Sequence, residues 1–376
     1  MTLEERAQLI SRQTEEVMTS DDLNALLASG QKLRHYIGFE ISGKIHLGTG
    51  LMCMQKVKDL HDAGIECNVF LADWHTWIND KLDGSHDTIK RVAVGYFKEG
   101  LRAAFACVGG NPDDLKFTLG SELYSTHPHF WDTVVEVSKH TSLSRAKRSI
   151  TIMGRQEGDS VDFSKLLYPM MQVADIFTQQ VHFPHAGLDQ RKAQVIARDV
   201  ALKLNISPLV IDGKKVKPVA IHHHLILGLQ KPSVWPIVDQ ESKQDIWTSM
   251  KMSKSKPDSA IFIHDSEDDI RRKIAKAFCP EREVEFNPII DWVEHLLNSP
   301  DGFTVRRAEN HGGDLHCKNI TELKTTFANG DLHPQDLKNF VAEGIVRKLK
   351  PARTVFASGE PKNMLAELDR VMGGSN

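Results

Sequence analysis

The sequence predicts an α/β fold, a doubly wound parallel sheet followed by an all-helical C-terminal domain. Three observations predict it. Strand-sized apolar runs alternate with longer helical patterns over residues 36–119, and strand-sized runs return over 181–221. Beyond Ser266 the alternation stops and helical periodicity alone continues. Elements of these lengths in this order make parallel sheets, whose ligands sit at the C-terminal strand ends.

Residues 1 to about 30 read as two short amphipathic helices, the second opened by Ser20-Asp21-Asp22-Leu23, a capping pattern. Residues 36–39 form the first buried strand. The chain then turns through Ser42-Gly43 and enters a helix at Ile45 that runs to about Ala63. Residues 65–72 are the second strand. A helix follows over about 87–107, with Val92, Val94, Phe97, Leu101 and Ala104 as its apolar set, and 115–119 is the third strand. Residues 130–155 are helical and basic, carrying Arg145, Lys147 and Arg148, and read as an insertion between the two halves of the sheet. Further strands are expected at 181–183, 209–211 and 219–221, and helices at 268–277, 289–297, 320–327 and 336–349. The domains are therefore placed at 1–240, with the insertion at about 125–185, a mobile polar loop at 241–258, and a helical domain at 259–376.

Composition narrows the class. A chain of 376 residues holds two or three domains, and 40% hydrophobic with 26% charged residues is ordinary for a globular protein. The net charge is only −3, so a nucleic-acid partner would meet a local basic patch, not a basic protein. Cys53, Cys67, Cys107, Cys279 and Cys317 include no C-x-x-C and no His-Cys cluster, which argues against structural zinc and for a reducing compartment. No apolar run reaches ~18 residues and the N-terminus is acidic, so a cytoplasmic location without a membrane partner is expected. His222-His223-His224 alternate faces on a strand and cannot converge on one ion, so no metal site is assigned to them.

Two distant stretches carry the chemistry. The strand-turn-helix from Tyr36 to Gly50 offers backbone amides and a positive helix end to a phosphate. His46 adds a donor, and Gly48 leaves that helix face bare for a base or sugar. Alone, this could be an ordinary βα turn. Lys251-Met252-Ser253-Lys254-Ser255 changes that reading. Together the two resemble the ATP-handling motifs of class I aminoacyl-tRNA synthetases, the first often written H-I-G-H and here His46-Leu47-Gly48-Thr49.

In Tyr168-Pro169-Met170-Met171-Gln172-Val173-Ala174-Asp175-Ile176, Pro169 suits a first helical position. Tyr168, Gln172 and Asp175 are spaced i, i+4, i+7 and share one face of a largely apolar helix. Polar groups so placed would be costly unless they face a polar cavity. With Tyr36-Ile37-Gly38-Phe39-Glu40 and Gly187-Leu188-Asp189-Gln190-Arg191-Lys192, this stretch is similar to the tyrosyl-tRNA synthetases of the archaeal and eukaryotic type. The similarity runs from Tyr36 to about Lys350 and implies a Rossmann-like catalytic domain, a helical anticodon-binding domain and a homodimer joined through the insertion.

By that resemblance Asp175 and Tyr36 bracket the phenol of L-tyrosine, and Tyr168, Gln172 and Gln190 hold its ammonium. Gly38, Glu40, Gly187, Asp189 and Lys254 face ATP. His46, Gly48, Thr49, Lys251, Met252, Ser253, Lys254 and Ser255 form the catalytic set, with Mg2+ on the pyrophosphate side. Tyrosine attacks the α-phosphorus of ATP and then passes to the 3′ end of its tRNA, tRNA(Tyr). Neither step needs a protein nucleophile, so catalysis is positioning and charge stabilisation. A phenol both donates and accepts, so a carboxylate and a tyrosine hydroxyl satisfy it fully and no editing domain is expected. Thr49 departs from the usual second histidine and cannot become cationic, which leaves more of the charge to His46 and the loop lysines. The resemblance carries Arg148, Arg191 and Lys192 to the tRNA acceptor end. It carries His333 and Asp336 to the anticodon, with His311 where relatives often have phenylalanine. The rival readings are a tryptophanyl enzyme and a retired synthetase acting as an RNA-binding protein.

Overall fold

The computed structural model describes the whole chain except residues 156–158, 233–234, 237–246, 248–249, 253–256 and 374–376. Its strands in chain order are β1 (Thr14–Met18), β2 (Arg34–Phe39), β3 (Glu66–Leu71), β4 (Lys116–Leu119) and β5 (Phe183–Gly187). A short hairpin, β6 (Val210–Ile211) and β7 (Lys214–Lys215), precedes β8 (Ala220–His223). The main sheet has the order β1-β8-β5-β2-β3-β4, parallel throughout except that β1 runs antiparallel to β8. From β2 the chain steps outward to β3 and β4, then crosses back to β5 and β8 on the other side. The strand order reverses at β2 and β5, and a crevice opens where their C-terminal ends diverge. The doubly wound prediction holds.

Several elements differ from the sequence reading. The first thirty residues are not two helices alone. Helices Leu3–Ser11 and Ser20–Ala28 flank β1, whose Glu16 lies in register with His222 and 3.0 Å from its Nδ1. A cross-strand carboxylate–imidazole pair supports an edge strand with no apolar alternation of its own. Residues 209–211 do not join the main sheet. Asp212 and Gly213 both take positive φ, +49° and +76°, and fold β6 onto β7 as a two-residue hairpin.

The helix at 87–107 is two, His86–Val92 and Lys98–Cys107, joined by a wide turn with Gly95 off helical geometry, and Val94 is half exposed. The helix carrying the polar face is Ser164–Thr178, so Pro169 is interior and not its first residue. The earlier start follows from buried Lys165, which pairs with Asp162 and with Asp80 at 2.8 Å.

From residue 257 onward the described residues form helices Glu267–Ala275, Pro288–Leu296, Ile320–Asn329, Pro334–Lys348, Lys350–Phe356 and Gly359–Gly373. One hairpin, β9 (Phe303–Val305) with β10 (Leu315–Cys317), lies among them. An apolar cluster runs without a break from Val57 and Val69 under the sheet to Trp292 and Val341 in these helices. A second cluster, around Phe130, Val173 and Phe177, supports the other face of the sheet and includes Tyr36, Phe70 and Tyr168. Each fully buried side chain of this size contributes ~2–3 kcal/mol. The crevice is thus floored on its deep side by close-packed core.

Candidate active site

A cleft of about 660 Å³ opens at the C-terminal ends of β2 and β5. It brings together residues scattered over more than two hundred positions of sequence. Tyr36, Gly38, Glu40, His46, Gly48, Thr49, Tyr168, Gln172, Asp175, Gly187, Asp189, Gln190, Lys251 and Met252 all line it. Ser253, Lys254 and Ser255 lie outside the described residues.

The deep end is closed and polar. Tyr168, Gln172 and Asp175 face inward together, as their spacing requires. Asp175 is 1% exposed and its Oδ1 has no hydrogen-bond partner. Burial pushes its carboxyl well above the usual range, a hydrogen bond with Tyr124 pulls it back, and the charge of Asp73 pushes it up again. The Tyr36 phenol is likewise driven well up, by burial and then by Asp175. An unpaired buried polar atom costs ~1–3 kcal/mol, which a ligand group of the right kind would relieve.

A second unpaired acceptor, Gln172 Oε1, stands one helical turn away. Its Nε2 donates to Gln190 Oε1 at 3.4 Å, and Gln190 Nε2 donates to the Ile152 carbonyl at 2.9 Å. The Tyr168 hydroxyl donates to Glu40 Oε1 at 2.8 Å, and Asn79 Nδ2 donates to the same oxygen at 2.8 Å. With these donors turned away, Gln172 Oε1, Gln190 Oε1 and Tyr168 Oη present lone pairs to the cleft. That is an acceptor set for a group that only donates, such as an ammonium.

The signature turn is arranged differently from expectation. The amides of Gly48 and Thr49 are not open to a phosphate, because both donate to His46 Nδ1, at 3.1 and 3.3 Å. With Nδ1 accepting, a neutral ring carries its proton on Nε2, which lies 3.4 Å from Thr49 Oγ1. The imidazole, not the bare helix end, faces the cleft as donor. Gly48 permits this fold-back, since a Cβ there would stand 3.0 Å from His46 Cε1. Across the cleft Lys251 Nζ pairs with Asp189 Oδ2 at 2.7 Å.

Sequence reasoning missed His75, Asn79 and Tyr124. His75 is fully buried, sits edge-on to the Tyr168 ring with centroids 4.5 Å apart, and lies 3.8 Å from Asp175 Oδ2. Burial lowers its pKa to about 3, so it is neutral. The signal was positional: Asp73-Trp74-His75 directly follows the C-terminal end of β3, where ligands bind in such sheets.

The three histidines do take alternate faces. His222 meets Glu16, while His223 Nδ1 lies 2.8 Å from His185 Nε2. His224 lies between Glu15 at 2.6 Å and Asp291 at 2.7 Å. Burial works against charge on His224, but the hydrogen bonds to Asp291 and Glu15 outweigh it and raise the pKa to about 9. His224, Asp291 and His295 offer ligand atoms within 4.8 Å of one another. Both His224 nitrogens face carboxylate oxygens, however, so the ring donates on both sides and keeps no lone pair for an ion.

The residues expected to meet RNA lie outside the cleft. Arg148 is exposed, and Lys192 Nζ donates to its carbonyl at 3.0 Å. Arg191 forms a two-pronged ion pair with Glu16 at 2.8 and 2.9 Å. His333 caps the helix Pro334–Lys348, its Nδ1 accepting from Gln335 N–H, and Asp336 lies in that first turn. His311 ends a short turn closed by Gly312 at φ +90°. Arg307 ties the two loops together, donating to the Gly313 and Asp331 carbonyls.

Comparison with known proteins identifies the family. The family described as tRNA synthetases class I (W and Y) matches residues 28–350. A protein of Thermococcus sibiricus named tyrosine–tRNA ligase is 55% identical over 95% of this chain and 96% of its own. One of the same name from Pyrococcus abyssi is 54% identical over 95% and 96%. A crystal structure of the tyrosyl-tRNA synthetase of Pyrococcus horikoshii complexed with L-tyrosine superposes with a TM-score of 0.95 at 53% identity, over 97% of this chain and all of that one. A tryptophanyl-tRNA synthetase of Aeropyrum pernix shares the fold at a TM-score of 0.63 and 17% identity. The chain belongs to the class I tRNA synthetases of the tryptophan and tyrosine group.

Proposed function

We propose that this chain joins tyrosine to its tRNA and that the cleft's two ends divide the work: the deep end chooses the amino acid and the open end handles ATP. The chain is an aminoacyl-tRNA synthetase, and its relatives at 52–55% identity are named tyrosine–tRNA ligases. The observation that carries the substrate assignment is the buried, unpaired Asp175 Oδ1 in a pocket shared with the Tyr36 hydroxyl. A phenol satisfies both groups, donating to Asp175 and accepting from the Tyr36 hydroxyl. An indole N–H is donor only and would leave the Tyr36 hydroxyl unmatched. Gln172, Gln190 and Tyr168 receive the ammonium.

The tyrosine carboxylate then attacks the α-phosphorus, a new P–O bond forms, and pyrophosphate leaves. His46 Nε2–H donates to phosphate from one side. Lys251, with Lys254, supplies charge from the other once Lys251 exchanges Asp189 for ATP and Asp189 turns to the ribose. Mg2+ accompanying ATP would be held chiefly by the phosphates and water and would supply charge to the departing pyrophosphate. In the second step a ribose hydroxyl at the tRNA 3′ end attacks the activated carbonyl and AMP departs. Arg148, Arg191 and Lys192 guide that end, and His311, His333 and Asp336 read the anticodon.

We read the chain as a homodimer joined through its insertion, where Trp131, Val135 and Leu143 are exposed. The domain limits are kept at 1–240, 241–258 and 259–376. No helix among the described residues is long and apolar enough to cross a membrane, and we place the enzyme in the cytoplasm. Amino-acid-dependent ATP–pyrophosphate exchange tests the assignment. Tyrosine should support exchange and tryptophan and phenylalanine should not; equal exchange with tryptophan would overturn it.

A further inference from the structure

The segment His224–Leu229 follows β8, and its first three residues line the cleft. The start of the lysine loop lies against it: Leu227 bridges Lys251 in antiparallel fashion. Gly228 N–H donates to the Met250 carbonyl at 2.7 Å, and Met252 N–H donates to the Ile226 carbonyl at 2.9 Å. The backbone position of Lys251 is therefore set by Leu227 and its two neighbours.

Leu227 is itself held by the helix Pro288–Leu296 of the helical region. Asp291 Oδ2 accepts its N–H at 2.9 Å, and Trp292 Nε1–H donates to its carbonyl at 2.8 Å. Consecutive side chains of one helical turn thus grip both backbone groups of a single residue. Asp291 Oδ1 accepts from His224 at 2.7 Å, and His295 stacks on His224 with centroids 3.9 Å apart. Trp292 is fully buried and Asp291 is 5% exposed. Leu227 cannot slide or rotate without breaking a bond to that helix, and a shift of Leu227 moves Lys251.

We propose that Asp291 and Trp292 are positioning residues for Lys251, so that the helical region sets where this lysine stands over the ATP phosphates. The proposal rests on the reading of Lys251 as a phosphate-charge group. Neither residue lines the cleft, and neither belongs to the motifs that identify the active site. A misplaced lysine fails in the transition state more than in tyrosine binding, since only the developing phosphate charge calls on it.

The test is tyrosine-dependent ATP–pyrophosphate exchange on the full chain with Lys251→Ala, Asp291→Asn, Trp292→Phe and the double variants. Lys251→Ala is read first: an unchanged rate overturns the phosphate reading and the relay with it. Given a loss there, Asp291→Asn should lower kcat about tenfold with the tyrosine KM within about twofold. Trp292→Phe keeps the packing and deletes only the Nε1–H donor, so it should show the same split at about threefold. Combined with Lys251→Ala, either change should add less than about twofold, the non-additivity of groups acting through one residue. Merely structural changes would multiply. Unchanged kcat in both single variants, a rise in tyrosine KM alone, or multiplicative losses would each overturn the relay. Should Asp291→Asn fail to fold, Trp292→Phe decides.

Discussion

The deep and open ends of the cleft solve different problems with different physics. At the deep end Asp175, Tyr36 and Tyr168 are nearly inaccessible, and two acceptors, Asp175 Oδ1 and Gln172 Oε1, are left unpaired. At the open end Asp189 and Lys251 are partly exposed and already satisfy each other. Discrimination belongs where a mismatch strands a buried polar group, because that cost is not shared with water. Phosphate chemistry belongs where charges can exchange partners cheaply, because the surface ion pair that must break is worth only ~0–1 kcal/mol.

This contrast orders the expected effects. Asp175→Ala removes a buried acceptor and should lower tyrosine kcat/KM roughly 10²–10³-fold, mostly through recognition. A loss of less than about threefold would mean that the deep end is not the phenol site. Lys251→Ala should lower kcat about 10²-fold while tyrosine binding changes little, the pattern of charge used only in the transition state. Comparable loss of tyrosine affinity would erase the division between the two ends. Gln172→Ala should be milder, raising the tyrosine KM about tenfold, as for one hydrogen bond to a charged group. N-acetyltyrosine, which lacks the ammonium, should bind variant and wild type alike.

The smallest effect concerns stability. His224 is held as an imidazolium by Glu15 and Asp291, with His295 stacked on it, and its pKa rises to about 9. Its folded pKa exceeds the unfolded value of ~6.5, so this stabilisation is full below ~6.5 and lost as pH rises through about 9; it is worth ~3 kcal/mol at most. His35 and His75 are pushed down to about 3 by burial and act oppositely. Their stabilisation is full above ~6.5 and declines as pH falls toward 3. Urea denaturation across pH 5–10 should show a maximum near pH 6.5 with a decline on each side. His224→Asn should flatten the alkaline limb and leave the acid one.

What was legible in the sequence follows the same division. Tyr168, Gln172 and Asp175 could be read because helical geometry fixes which residues share a face, and the turn at His46 because a strand, a turn and a helix start are local. β1 could not be read. Thr14-Glu15-Glu16-Val17-Met18 has no apolar alternation, and its strand character comes from pairing with β8 some two hundred residues away. The Asp212-Gly213 turn could have been read and was not. The His46 ring folding onto its own helix start depends on side-chain geometry that spacing does not encode. Asp291 and Trp292 look like ordinary members of an amphipathic helix until Leu227 is seen between them.

The central claim is that unmatched buried groups at the deep end select the hydroxyl of the substrate. It is tested most directly by kcat/KM for exchange with tyrosine and with phenylalanine, in the wild-type chain and in Asp175→Ala. For this class of enzyme, rejection of phenylalanine without editing is documented at about 10⁵-fold. The account predicts a wild-type preference of that order and its fall to about 10²–10³-fold in the variant, chiefly through loss with tyrosine. A variant that activates tyrosine poorly yet still prefers it over phenylalanine by more than about 10³-fold would contradict it.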